Sequence, residues 1–234
     1  MKKDFKIYIV HYKELTHRKK IIENSLNLSG IKYYFETDYD RENLKKEDKK
    51  KFFGDIKDSY KANFLSHIKC YEHLYNSEDE LALILEDDSV PEKIFFEKIE
   101  SYLKQLPKDF GLFFVSSGKN KFHIPLYLRK PFKKVYKKNN QPVYWGGAGA
   151  SRNADAYFIS RNCAKILYDE FYNENFKTDT SIDWWLNDMI RKYDIPVYWA
   201  EPVLIETNKY ESSFKWKIKV LIMFSSILML EKKE

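Results

Sequence analysis

Apolar and polar positions alternate along the chain in blocks that predict an α/β fold. Apolar runs of strand length occupy residues 5–10, 31–35, 81–85, 111–115, 156–160 and 196–199. Between them, apolar residues recur at helical spacing in residues 16–26, 61–76, 94–103, 162–171 and 182–190. Strand–helix–strand units with short connections imply parallel neighbours. We therefore expect a mostly parallel central sheet flanked by helices.

The sharpest change in this pattern is from LALIL to EDD at residues 81–88. The apolar run predicts a strand covered on both faces, and Glu86, Asp87 and Asp88 follow at its carboxyl end. Three like charges so close together are unfavourable unless a cation or backbone N–H groups nearby offset their repulsion. Because open α/β sheets bind ligands at this end of their strands, the acids could hold Mg²⁺ or Mn²⁺ on a nucleotide diphosphate. Alternatively, they favour the N-terminus of the next helix.

A long irregular section follows at residues 116–144, and the stretch after it holds Gly146, Gly147 and Gly149. Glycines concentrated in this way suggest mobility or a close approach of the backbone to a ligand. There is no internal repeat and no composition break that marks a second domain. We expect residues 1–210 to form one catalytic domain, followed by a tail of residues 211–234.

Composition places the chain among globular proteins and adds a positive charge. It has 234 residues, 44% hydrophobic and 32% charged, with a formal net charge of +6. The basic residues cluster in residues 45–51, 129–138 and 215–219. Such clusters favour anionic partners or simply form solvated surface. Because no nucleic-acid-binding motif accompanies them, we do not expect a nucleic-acid partner.

Two further features bear on location. The two cysteines, Cys70 and Cys163, make neither a disulfide framework nor a zinc site, and the N-terminus lacks the pattern of a secretory signal. Both favour the cytoplasm.

In the tail, residues 220–230 are apolar apart from Ser225 and Ser226, with lysines on either side. This segment either lies in a membrane interface, as a peripheral contact, or docks on the core as a helix.

Several motifs in order resemble glycosyltransferase family 25, the lipopolysaccharide-biosynthesis glycosyltransferases. They are KIYIVHYKELTHRKK, FLSHIKCYEHL, LALILEDDSVPE, DAYFISRNCAKIL and SIDWWLNDMIRKYDIPVYWAEP. The resemblance implies the GT-A type nucleotide-diphospho-sugar transferase fold and a nucleotide-sugar donor, commonly UDP-galactose. It also implies a divalent metal ion, Mn²⁺ or Mg²⁺, and inverting transfer to a lipooligosaccharide or other glycan acceptor, which is lipid-linked.

The resemblance also assigns residues. Glu86 and Asp88 fall on the ends of an acidic triplet that contacts metal and diphosphate, and Asp87 lies between them. The remaining positions assigned to donor binding are Tyr12, Arg18, Asp38, Ser66 and His67. A histidine on an amphipathic helix is also a common core or surface residue, so the role of His67 stays open.

An inverting transfer needs a base for the acceptor hydroxyl, and a carboxylate suits that role. Asp183 is our candidate: Ser181 would cap its helix, and Trp184 and Trp185 could stack on a sugar. Alternatively, Asp183 only favours the helix N-terminus and the tryptophans belong to the core. Asp155 and Asp188 are lesser candidates. The competing function is a non-catalytic sugar-nucleotide or glycan-binding protein of the same fold.

Overall fold

A mixed β-sheet with helices on both faces forms the centre of the protein. The computed structural model describes residues 5–27, 29–116, 124–138 and 153–206. The segment with Gly146, Gly147 and Gly149 and the tail of residues 211–234 lie outside the described residues, so the expectations for both stay predictions.

The described strands are β1 (Lys6–Val10), β2 (Tyr33–Glu36), β3 (Leu81–Glu86), β4 (Leu112–Phe114), β5 (Val135–Lys137), β6 (Ala156–Ser160) and β7 (Val197–Ala200). The described helices are α1 (Thr16–Asn27), α2 (Lys46–Lys49), α3 (Asp58–Tyr75), α4 (Lys93–Leu103), α5 (Arg161–Phe171) and α6 (Ile182–Lys192). A single 3₁₀ turn covers Leu126–Leu128 in the same ranges. The strand order across the sheet is β2-β1-β3-β6-β4-β7-β5.

The predicted α/β fold is confirmed, but the sheet is mixed rather than mostly parallel. β1 runs parallel to β2 and β3, and β4 runs parallel to β7. β6 is antiparallel to both β3 and β4, and β5 is antiparallel to β7. Parallel neighbours need a crossover that returns the chain to the same end of the sheet. No long helix is described between β4 and β6, and the chain enters β6 from the opposite end.

Both faces of β3 are covered, which explains its uninterrupted apolar run. Ala82 and Ile84 pack in one core with residues of α3, α5 and α6. The alternate residues Leu81, Leu83 and Leu85 pack in a second core with residues of α1 and α4. Because β3 lies between β1 and β6, its acidic end is inside the sheet rather than at an edge.

Three short elements were not predicted. α2 has four residues and none is buried, so no apolar periodicity marks it. The 3₁₀ turn and β5 fall in the section predicted to be irregular, and each has only three residues. Patterns this short cannot be separated from loop sequence. Within the described ranges, no helix is long and apolar enough to cross a membrane.

Candidate functional site

The three acids that follow the buried strand lie on a tight turn at the end of β3. The backbone N–H of Ser89 donates to the carbonyl of Glu86 at 2.9 Å, which closes the turn. The N–H of Glu86 donates to the carbonyl of Asp155 at 2.8 Å, which ties the strand end to the residues before β6. The turn is therefore fixed on the sheet, and each of its three carboxyl groups has different surroundings.

Asp87 joins β3 to the chain that follows β1. Its Oδ1 accepts from Arg18 Nη1 at 2.7 Å, and its Oδ2 lies 2.9 Å from His11 Nδ1 and 3.4 Å from the backbone N of Tyr12. Burial acts to raise the pKa of Asp87, but the hydrogen bonds from His11 and Arg18 outweigh it and hold this pKa below its usual value. Asp87 is thus a buried carboxylate with protein donors on both oxygens, and Arg18 is held in place by it.

Asp88 has the opposite electrostatic environment. Burial and the negative charge of Glu86 raise the pKa of Asp88 to about 7, although Arg18 partly offsets them. Its Oδ2 lies 3.8 Å from Arg18 Nη1, an ion-pair distance rather than a hydrogen bond. A carboxyl group so placed is stabilised in its charged form by any further positive charge that enters the site.

Glu86 is held by two side chains of α3. Its Oε1 accepts from Asn63 Nδ2 at 2.8 Å and lies 3.5 Å from His67 Nε2. A quarter of the Glu86 side chain remains exposed, whereas His67 is fully buried. The α3 contacts therefore orient the carboxylate without removing it from solvent.

A buried chain of two tyrosine hydroxyl groups extends from the other side of the His67 ring. Its Nδ1 lies 2.8 Å from the Tyr157 hydroxyl, which lies 2.6 Å from the Tyr71 hydroxyl. A carboxylate can only accept, so the contact between His67 and Glu86 corresponds to the tautomer with the proton on Nε2, in which Nδ1 accepts from Tyr157. Tyr157 then accepts from Tyr71. This arrangement gives His67 a role in positioning Glu86. The sequence had left the role of His67 open.

A cleft opens beside these acids. The predicted residues that line it are Tyr12, Arg18, Ser66, Glu86, Asp87 and Asp88. Further lining residues that the sequence did not reveal include His11, Tyr39, Arg41, Ser59 and Asn63. Ser59, Asn63 and Ser66 recur at intervals of four and three residues on α3, a polar spacing that could have indicated a helix face turned to a site.

Aromatic and cationic groups form one wall of the cleft. The Arg41 guanidinium lies 4.0 Å from the centre of the Tyr12 ring, and the Tyr12 hydroxyl donates to Glu42 at 2.7 Å. Tyr39 lines the cleft beside them. Asp38, which we expected to bind donor, does not line the cleft; its backbone N–H donates to Glu36 Oε1 at 2.7 Å.

The candidate base lies on a different element and does not line the cleft. Ser181 is the N-cap residue of α6, as predicted, but its hydroxyl donates to Asp183 Oδ1 at 2.5 Å, and its oxygen accepts no capping hydrogen bond from a backbone N–H of the helix. Trp184 is half exposed and so could contact a ligand. Trp185 is buried against Phe64 and Phe176, so the core interpretation is correct for that tryptophan.

The two lesser candidates for the base have other partners. Asp155 is buried, and its Oδ1 accepts from the Ser116 hydroxyl and from the backbone N–H of Ala156. Asp188 forms an exposed ion pair with Arg191 on α6. Neither lines the cleft.

The donor set fits a divalent cation that is shared with a bound phosphate. In the described ranges, no group of three or more His, Cys, Asp or Glu side chains is placed to hold a metal ion. Mg²⁺ and Mn²⁺ are commonly held by one or two carboxylates together with substrate phosphates and water. Glu86 and Asp88 both line the cleft, and the raised pKa of Asp88 reflects its burial together with the negative charge of Glu86, which such a cation would balance.

Comparison with protein families decides the affiliation of the chain. Residues 4–182 match the model of glycosyltransferase family 25, described as an LPS biosynthesis protein. The chain belongs to glycosyltransferase family 25. The family resemblance carried by the sequence motifs is thereby confirmed, and with it a glycosyltransferase that uses a nucleotide-sugar donor and a glycan acceptor.

Two of the solved structures that resemble this chain are enzymes of low sequence identity to it. A glycosyltransferase involved in the glycosylation of the major capsid of PBCV-1 is 12% identical, with a TM-score of 0.47, over 89% of this chain and 96% of that one. A CMP:2-keto-3-deoxy-manno-octonic acid synthetase complexed with CTP is 9% identical, with a TM-score of 0.38, over 98% and 99%. No curated protein matches the sequence.

Proposed function

We propose that this family 25 glycosyltransferase moves galactose from UDP-galactose to a lipooligosaccharide or another glycan acceptor, with inversion and with a divalent cation. The observation that carries the proposal is the cleft at the end of β3, where Glu86 and Asp88 lie beside Arg18. Two carboxylates and one guanidinium in a cleft provide for both a cation and the phosphate oxygens that it would bind.

Each cleft residue has a role in this proposal. Glu86 and Asp88 would hold Mn²⁺ or Mg²⁺, which when bound stabilises negative charge on the departing diphosphate. Arg18 is fixed by Asp87 and directs its charge to the same region. Tyr12, stacked on Arg41, offers a flat surface to the nucleoside. Asn63 and His67 hold the Glu86 carboxylate in position.

An inverting transfer is a single displacement, so one base must take the proton of the acceptor hydroxyl. We retain Asp183 for this role, because its carboxylate lies in the first turn of α6 with the half-exposed Trp184 next to it. The acceptor would then approach from the α6 side, while the donor occupies the cleft. A peripheral position on the cytoplasmic face of a membrane, with the tail of residues 211–234 as contact, would bring the enzyme to a lipid-linked acceptor.

A donor screen tests the proposal. The full chain is incubated with UDP-, GDP- and CMP-sugars and a lipooligosaccharide acceptor, with and without Mn²⁺, and release of each nucleotide is measured. We expect Mn²⁺-dependent release of UDP from UDP-galactose only when acceptor is present. Tight binding of a sugar nucleotide with no release under any condition would instead support the competing function, a non-catalytic binding protein. Full release in excess EDTA would contradict the metal dependence.

A further inference from the structure

The edge of the sheet farthest from β2 carries an unusual surface segment, residues 124–138, which we call the basic edge segment. It includes the 3₁₀ turn Leu126–Leu128 and the strand β5. Four large apolar side chains are exposed within it: Leu126 by 78%, Tyr127 by 84%, Leu128 by 54% and Phe132 by 94%. Single exposed apolar residues are common on soluble proteins, but a cluster of this kind marks an interaction surface.

The exposure is built into the fold because backbone contacts hold the segment against the core. The N–H of Ile124 donates to the buried Glu201 carboxylate at 2.8 Å, and Gln105 Nε2 donates to the carbonyl of Phe132 at 2.9 Å. The N–H of Lys130 donates to the Tyr136 hydroxyl at 2.7 Å. Phe132 itself has φ of 62°, in a region that bulky residues rarely adopt. The chain is thus anchored while its apolar side chains remain in water.

The charge of the segment identifies the kind of partner. Six of its residues are Lys or Arg and none is Asp or Glu. Lys130, Lys133 and Lys137 are exposed, while Lys134 packs on the core and donates to Ser101 Oγ at 2.6 Å. Exposed Leu, Tyr and Phe side chains with lysines around them match a bilayer interface, where apolar groups enter the headgroup region and lysines contact anionic lipid.

We propose that the basic edge segment is a docking surface for an anionic membrane. Its position allows this. β5 is the edge strand at one end of the sheet, whereas the cleft lies at β1 and β3 near the other end, so a membrane that covers β5 would leave the cleft open. The apolar tail of residues 220–230 is a less suitable occupant. Five lysines flank it within residues 215–233, and these would repel the lysines of the segment.

Vesicle binding by the full-length protein tests the proposal. The variant combines Tyr127→Ser, Phe132→Ser, Lys130→Glu and Lys133→Glu. A matched control combines Phe53→Ser, Lys45→Glu and Lys46→Glu, since Phe53 is also half exposed beside a basic cluster, but one interleaved with acidic residues. Co-sedimentation is measured with phosphatidylcholine vesicles with and without phosphatidylglycerol. We expect the variant to lose about tenfold or more of its affinity for the anionic vesicles, and the control to bind as the wild type does.

A site-specific probe separates this surface from the tail. Cys70 and Cys163 are both buried, so a Tyr127→Cys variant can be labelled selectively with an environment-sensitive fluorophore. On anionic vesicles we expect a blue shift and quenching by lipids that carry a quencher in the acyl chain. A label that stays in water while the protein is vesicle-bound would overturn the proposal and assign binding to the tail.

Two other outcomes would also overturn it. One is undiminished vesicle binding by the fourfold variant, with its fold verified by circular dichroism. The other is a label shielded without lipid in a self-associated protein, which would make the segment an interface between copies. The inference does not rest on the donor chemistry: an Asp88→Ala protein should bind vesicles as the wild type does, even if every donor proves inactive.

Discussion

The cleft at the end of β3 and the basic edge segment both break the rule that apolar groups are buried and polar groups exposed, but in opposite ways. At the cleft, charged groups are buried: Arg18 and Asp87 are each less than 8% exposed. At the basic edge segment, Tyr127 and Phe132 are more than 80% exposed. Both departures cost stability, and each is held by specific contacts with the core.

The contrast shows how a site can be recognised without a ligand. In the cleft, Asp87 has a complete set of protein partners, whereas Asp88, one residue later, has its pKa raised to about 7 by burial and by the charge of Glu86. A complete set of partners indicates a structural role, and an imbalance of charge indicates a binding role. At the basic edge segment, the corresponding sign of a binding role is apolar surface that is exposed to water.

The largest effect is expected at Asp88. An Asp88→Ala variant should lower transfer by about a thousandfold or more, because a cation shared with the diphosphate contributes several kcal/mol to the transition state. The fold should persist, because burial and the charge of Glu86 make the ionised Asp88 side chain unfavourable in the folded protein. Nucleotide release and the thermal midpoint are measured together. Turnover near the wild-type level with an unchanged midpoint would remove Asp88 from the metal site.

The next effect concerns the base. Asp183→Asn keeps the shape of the side chain but cannot take a proton, so kcat should fall about a hundredfold with the donor Kd nearly unchanged. Asp188→Asn serves as the matched control, because Asp188 is on the same helix in an exposed ion pair with Arg191. Equal activity of the two variants would contradict the role of Asp183.

Asp87 tests the structural side of the comparison. Asp87→Ala leaves the buried Arg18 without its closest carboxylate, which should lower the free energy of unfolding by about 3–5 kcal/mol. The control is Asp169→Ala, which breaks the exposed ion pair with Lys165 and should leave the free energy of unfolding nearly unchanged. Urea denaturation measures both. Similar losses in the two variants would mean that the buried pair has no special structural role.

The sequence predicted the parts of this site that depend on local pattern. Glu86 and Asp88 could be placed because an apolar run of strand length ends directly before them. Trp185 could have been assigned to the core, because Ile182, Leu186 and Met189 share its helix face at intervals of three and four residues. Its pairing with Trp184 in the sequence concealed this difference.

Contacts between distant segments were beyond the sequence. Asn63 reaches Glu86 only because α3 packs beside β3, and Arg41 reaches Tyr12 only because the segments that follow β1 and β2 meet at the same edge of the sheet. The antiparallel direction of β6 likewise could not be predicted, because the sequence of residues 116–144 carries no periodic apolar pattern. In each case tertiary packing determines which residues meet, and this cannot be predicted from a short window of neighbouring residues.

The smallest effect is expected in the hydroxyl chain behind Glu86, and it distinguishes positioning from packing. Tyr157→Phe removes the donor to His67 Nδ1 and leaves a fully buried ring nitrogen without its partner, at a cost of about 1–3 kcal/mol. Tyr71→Phe removes a similar hydroxyl from the same buried chain, but Tyr157 can still donate to His67.

If the chain fixes the proton on His67 Nε2, the ¹⁵N resonances of His67 should change in Tyr157→Phe and stay in place in Tyr71→Phe. The affinity for Mn²⁺ and donor should weaken a few-fold, about the effect of a lost outer hydrogen bond, in Tyr157→Phe alone. Identical spectra and affinities in both variants would reduce the chain to core packing, because a purely structural role makes no distinction between the two hydroxyls.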